Sequence, residues 1–61
     1  MTVLIQTASR WGNLYRLAHY IDGRKVAKTH WDREYERHRL TPEQGAMQNT
    51  SYGFRKRWEI H

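Results

Sequence analysis

Apolar and polar residues alternate most cleanly near the end of the chain. Over residues 52–60 the even positions are Tyr52, Phe54, Lys56, Trp58 and Ile60, and the odd ones are Gly53, Arg55, Arg57 and Glu59. Period-2 alternation of this kind predicts a strand with one face on a core and a basic face in solvent. Residues 2–8, Thr-Val-Leu-Ile-Gln-Thr-Ala, are β-branched and apolar and predict a short strand. Residues 9–13 contain Gly12 and read as a loop, and residues 14–21 fit a second strand. Asp22-Gly23 follows, and Asp-Gly between two strand-like runs is the strongest short hairpin signal, because a type I′ turn needs positive φ at both central residues. Residues 24–28 are then the returning strand, and a two-residue turn sets Ile21 opposite Arg24, Tyr20 opposite Lys25 and His19 opposite Val26.

The period changes at Thr29-His30-Trp31-Asp32, which reads as a helix start with Thr29 and Asp32 as a capping box. Trp31, Tyr35 and His38 recur at i, i+4 and i+7 and define one helix face, while Arg37, His38 and Arg39 suit the negative end of the helix dipole. Thr41-Pro42-Glu43-Gln44 is a second start signal, with Pro at the first helical position. Gly45 and the polar run 48–51 limit it to one turn or a loop. The whole predicts an α+β fold: a small antiparallel sheet, built from the hairpin and the C-terminal strand, with one helix packed on one face. The expected core is Leu4, Leu17, Ile21, Val26, Trp31, Tyr35, Phe54, Trp58 and Ile60.

A length of 61 residues makes this a single domain, 1–61, with a thin core. There is no cysteine, so the core must rest on large rings, of which there are three Trp, four Tyr and one Phe. The longest apolar run near the start, Val3-Leu4-Ile5, is too short for a signal-peptide core or a membrane span, which points to a cytoplasmic protein away from membranes. The formal net charge is +5, unevenly spread. Residues 29–43 hold three Arg against four carboxylates, whereas the remainder holds eight Lys and Arg against Asp22 and Glu59. The basic excess therefore lies outside the helix, on the strands, and such a field attracts polyanions.

Two basic segments are candidate binding surfaces. Arg55-Lys56-Arg57 is framed by Tyr52, Phe54 and Trp58, a mixture in which cations hold phosphates and rings stack on bases, although alternation assigns most of those rings to the core. The hairpin carries Arg24 and Lys25 at its tip with Arg16 and Lys28 further down, and a two-stranded ribbon can enter the DNA major groove. Polar hairpin tips and edge lysines are also ordinary features of solvated strands. The expected nucleic-acid-binding set is Arg16, Arg24, Lys25, Lys28, Arg55, Lys56 and Arg57, with duplex DNA as the partner. His30, Glu34 and His38 at i, i+4 and i+8 are the one ligand-like trio, but they drift about 80° around a helix, so no metal is expected. Nucleophile elbows, phosphate loops and glycine-rich nucleotide motifs are absent, and the reading is of a binding protein without a cofactor, not an enzyme.

The stretch Leu14-Tyr15-Arg16 through Tyr20-Ile21-Asp22-Gly23-Arg24-Lys25-Val26 to Trp31-Asp32 resembles hairpin-then-helix pieces of small phage and prophage accessory proteins, over about half of the chain. A three-stranded sheet with one helix is also similar in architecture to the arm-binding domains of phage-type integrases. That resemblance implies a sheet that reads DNA in the major groove, and it bears on fold alone. The competing expectation is a protein-interaction module, or a homodimer, whose basic face meets an acidic surface on a larger protein.

Overall fold

The computed structural model describes all of Met1–His61. Its elements are β1 (Thr2–Trp11), β2 (Leu14–Ile21), β3 (Arg24–Val26), α1 (Lys28–Arg37), a 3-10 turn (Pro42–Gln44), β4 (Ala46–Thr50) and β5 (Gly53–Ile60). The strands form one five-stranded antiparallel sheet in the order β3-β2-β1-β5-β4, so the fold is α+β as the alternation predicts. β1, which carries the Val3-Leu4-Ile5 run, lies at the centre between β2 and β5. The helix and the 3-10 turn carry the chain from one edge strand to the other.

The Asp22-Gly23 turn has positive φ at both residues, 50° and 83°, which is the type I′ requirement. The register beyond it pairs Ile21 with Arg24, Tyr20 with Lys25 and His19 with Val26, as that turn dictates. The tip is also tied to β1. The Val3 amide donates to the Asp22 carboxylate at 2.9 Å, and the Asp22 amide donates to the Val3 carbonyl at 2.9 Å. A second tight turn, Gly12-Asn13, joins β1 to β2 directly, with Trp11 paired to Leu14. β1 therefore continues through Ser9, Arg10 and Trp11, where the sequence suggested a loop.

Further differences from expectation follow β2 in the chain. β3 ends at Val26, and α1 begins at Lys28 with Ala27 as an extended N-cap that makes no side-chain bond. The capping box forms instead at the 3-10 turn, between Thr41 and Gln44. β4 occupies a stretch expected to be irregular, and every one of its residues is exposed. It is a strand because β5 offers it a ladder of backbone partners, from Ala46 opposite Arg57 to Thr50 opposite Gly53.

Cross-strand pairing divides the side chains between two faces. Leu4 sits between Ile21 and Trp58, and these three face the helix. Leu4, Trp31 and Trp58 are buried, with Ile21, Val26, Tyr35, Leu40 and Ile60 packed around them. The rings interlock: Trp31 stacks on Tyr35 at 5.2 Å between centroids, and both meet the edge of Trp58 at 5.4 Å. Trp58 Nε1 donates to the Thr41 carbonyl at 2.9 Å, which fastens the 3-10 turn to the sheet. Lys56 on the same face donates to the Pro42 carbonyl at 3.0 Å and lies 5.7 Å from the Trp58 ring centre.

His19 is also buried. Its ring packs 5.1 Å from Trp31, and Nε2 lies 3.2 Å from the Gln6 amide nitrogen, which donates to a neutral imidazole. Burial pushes its pKa below the ordinary 6.5, with Asp32 opposing and Lys28 reinforcing the shift.

Leu17 and Phe54 depart from the expected core. They flank Ala8 on the helix-facing side, yet Leu17 is 52% exposed and Phe54 only partly buried. A helix of 10 residues extends about 15 Å, and a strand of 10 residues about 34 Å. α1 therefore covers less than half the length of the sheet, and Leu17 and Phe54 lie beyond its reach.

Candidate nucleic-acid interface

No element covers the other face of the sheet. Its residues are those that alternate with the core positions: Val3, Ile5, Thr7, Ser9 and Trp11 on β1, with their cross-strand neighbours. The registers arrange them in rows. Lys25, Tyr20, Ile5, Arg57 and Ala46 form one row from edge to edge. Ala18, Thr7, Arg55 and Gln48 form the next, followed by Arg16, Ser9, Gly53 and Thr50. Successive rows are two residues apart along each strand, or about 7 Å. Gly53 permits this close meeting of β1 and β5, because a Cβ there would strike the Ala8 carbonyl oxygen.

The face has a direction. At one end Val3 pairs with Glu59. The middle rows carry Lys25, Arg57, Arg55 and Arg16. At the far end Trp11 pairs with Leu14, next to Tyr52 in the adjoining turn. Arg57 meets Glu59 at 3.1 Å, with both side chains nearly half exposed. Arg16, Lys25 and Arg55 have no carboxylate within 4.0 Å. Four cations thus share this face with Glu59, while Asp22 at the same end is bonded to the Val3 amide, and three of the cations are free to meet an external anion. Ile5, Thr7, Tyr20, Gly23 and Arg55 line a shallow hollow of about 340 Å³ in its centre.

The seven basic residues singled out by sequence do not form one group. Arg16, Lys25, Arg55 and Arg57 come together on the open face. Arg24 pairs with Ile21 and so takes the helix-facing side. Lys28 is bound to Asp32 at 2.7 Å in the first turn of α1. Lys56 braces the 3-10 turn against Trp58. Adjacent residues on a strand point to opposite faces, so a run such as Arg55-Lys56-Arg57 is necessarily divided.

The histidine trio does not assemble. Glu34 lies 3.6 Å from His38 and 3.5 Å from Arg37, and no three His, Asp or Glu side chains are grouped to hold a metal ion.

Sequence reading missed the loop end of the sheet. Trp11, Leu14, Tyr15 and Tyr52 are all exposed there, with Leu17 beside them. The Trp11 and Tyr52 rings are parallel to within 10°, with centroids 5.9 Å apart. The two turns that carry them are tied by the Arg10 amide, which donates to the Tyr52 carbonyl. Behind them the Arg10 guanidinium lies 6.0 Å from the Tyr15 ring centre and donates to the Gly12 carbonyl at 3.1 Å. The available signal was Gly12-Asn13, a hairpin dipeptide, which extends both strands and carries Trp11 to the tip.

No helix of the chain is long and apolar enough to cross a membrane. In comparisons with known proteins, no family model, no curated protein and no solved structure matches the chain.

Proposed function

We propose that the protein is a small nucleic-acid-binding accessory or regulatory protein of the cytoplasm, which holds a phosphate backbone across the open face of its sheet with Arg16, Lys25, Arg55 and Arg57. The observation that carries this reading is the sorting of charge between the faces. The uncovered face holds four cations, and its carboxylates, Glu59 and Asp22, lie at one end, the latter bonded to the Val3 amide, whereas the cations of the helix are offset by acidic neighbours such as Asp32 and Glu34. Exposed Arg and Lys in rows about 7 Å apart suit repeated phosphate contacts, which supply most of sequence-independent affinity. Nothing in this role calls for a cofactor or a reaction.

Salt dependence tests it. Binding of a labelled oligonucleotide, followed by anisotropy, should weaken as salt rises, with a log–log slope of roughly −0.7 to −0.9 per phosphate contacted. Arg16→Gln with Arg55→Gln removes two cations that have no internal partner. It should flatten the slope by roughly 1.4–1.8 units if each touches one phosphate. The helix pair Arg33→Gln with Arg37→Gln should leave the slope nearly unchanged. Absence of binding to DNA and RNA at low salt, or a larger effect from the helix pair, refutes the reading.

One observation favours a second reading, a module that docks on a larger protein and modulates it. Leu14 is exposed opposite Trp11 and next to the ring pair, and contiguous exposed apolar groups mark protein interfaces. Such binding would depend much less on salt.

A further inference from the structure

We infer that the loop end of the open face is a base-stacking site built from Trp11 and Tyr52, so that the ligand is a single-stranded or unpaired segment of nucleic acid rather than intact duplex. The inference rests on the proposed nucleic-acid reading and specifies its ligand.

The first observation is the exposure of the rings. Trp31 and Trp58 are 3% exposed, as expected where a thin core depends on aromatics. Trp11 is 61% exposed and Tyr52 64%, and they contact each other instead of the core. Their planes are aligned and their two turns are joined through the backbone, so the pair is a preformed ring stack whose outer faces are open to solvent. Every nucleobase has a π-face that stacks on such a surface, whatever the sequence.

The second observation is continuity with charge. Trp11 is two residues beyond Ser9, whose cross-strand neighbours are Arg16 and Gly53. Trp11, with Tyr52 against it, therefore follows the Arg16 row at the same spacing, about 7 Å, by which that row follows Arg55 and Arg55 follows Arg57. A strand laid from Arg57 towards Arg16 meets cations along its backbone and arrives at the rings. Beyond Arg57 the face closes with Glu59, which repels phosphate. The direction of the track is thus fixed by a carboxylate at one end and a stacking surface at the other.

The third observation is width. Five strands about 4.8 Å apart span about 19 Å, more than the roughly 12 Å width of a DNA major groove. The β2–β3 hairpin does not project as a free ribbon either, since its tip is bonded to Val3 of β1. A broad, shallow face with rings at one end suits a flexible strand whose bases can turn towards it.

The test compares a 12-nucleotide oligothymidylate with a blunt 12-base-pair duplex, using the full chain at one low salt concentration. Anisotropy gives affinity, and intrinsic tryptophan emission reports Trp11, the one exposed indole. Oligothymidylate should bind at least roughly 10-fold tighter than duplex and quench the emission. Trp11→Ala and Tyr52→Ala should each lower single-strand affinity roughly 5- to 150-fold while leaving the salt slope unchanged, because a stacking contact releases no counterion. Trp11→Phe should restore much of the loss, and circular dichroism should show that all three variants remain folded. Equal affinity for the two ligands, with emission unchanged and both alanine variants silent, overturns the stacking site and leaves the backbone reading standing. Failure of both ligands to bind overturns both the stacking site and the nucleic-acid reading.

Discussion

Leu4 and Leu17 point to the same side of the same sheet, on adjacent strands, and have opposite fates. Leu4 is fully buried between Ile21 and Trp58, and Leu17 is half exposed between Ala8 and solvent. Residue type and strand phase are the same for both, so neither sets burial. The length of α1 does. Where the helix lies over the sheet, aromatic residues interlock into a core. Where it stops, Leu17 is exposed and Phe54 only partly buried. A short helix on long strands thus divides one sheet face into a half that holds the core and a half left open to solvent.

The largest effect that sharpens this contrast is expected at Trp58. Its ring touches Trp31 and Tyr35 and holds the Thr41 carbonyl. Trp58→Ala should cost about 3–5 kcal/mol, a large part of the stability of a small domain, and should leave little folded protein in a thermal or urea melt. Melting at an unchanged temperature would mean that the covered half is not the core.

His19 lies at the boundary of the two halves, and its effect should be smaller and confined to acidic pH. The folded state holds its pKa below 6.5, chiefly by burial, whereas the unfolded chain takes up the proton near 6.5. The contribution of neutral His19 is therefore complete above about pH 6.5 and is lost as pH falls below it. Melting temperatures measured from pH 7.5 down to 5 should decline more steeply for the natural chain than for His19→Gln. Superimposable profiles would remove His19 from the acid response.

The smallest effect belongs to the bare half. Leu17→Ser removes a large apolar side chain from the nominal core face, yet stability should change by only about 0.5 kcal/mol, because water already reaches the residue. A loss as large as that at Trp58 would show that something covers this half in solution and would break the comparison.

Much of the fold was legible because local chemistry dictated it. Asp22-Gly23 specified its turn and, through it, three cross-strand pairs. The alternation from Phe54 to Ile60 specified β5 and the outward direction of Arg55 and Arg57. β4 was illegible for the opposite reason. Ala46–Thr50 has no apolar phase of its own and is a strand only because β5 lies alongside. The helix start was misplaced by two residues because Thr29 has the right side chain for a cap, while the chain uses Ala27 without one. The candidate site was half legible. Composition located the basic excess on the strands, but strand parity, which is a property of register, separates Lys25 from Arg24 and Arg55 from Lys56. The exposure of Leu17 followed from the reach of the helix, a relation between two elements that neither sequence states alone.

The central position of β1 has a consequence for how the molecule comes to exist. Its pairing with β2 is made across a two-residue turn, whereas its pairing with β5 joins Thr2 to Ile60 across nearly the whole chain. Hairpins close in about 1–10 μs, and contacts of high sequence separation form more slowly. The β1–β2–β3 meander is therefore available first, as a three-stranded sheet whose central strand is β2 and whose edge is β1. That edge carries Val3, Leu4 and Ile5, the most apolar run in the protein, and it stays unpaired until β5 arrives. The strand that ends as the best protected in the native sheet is the most vulnerable one during folding, and the pairing of β5 both completes the core and removes that exposure.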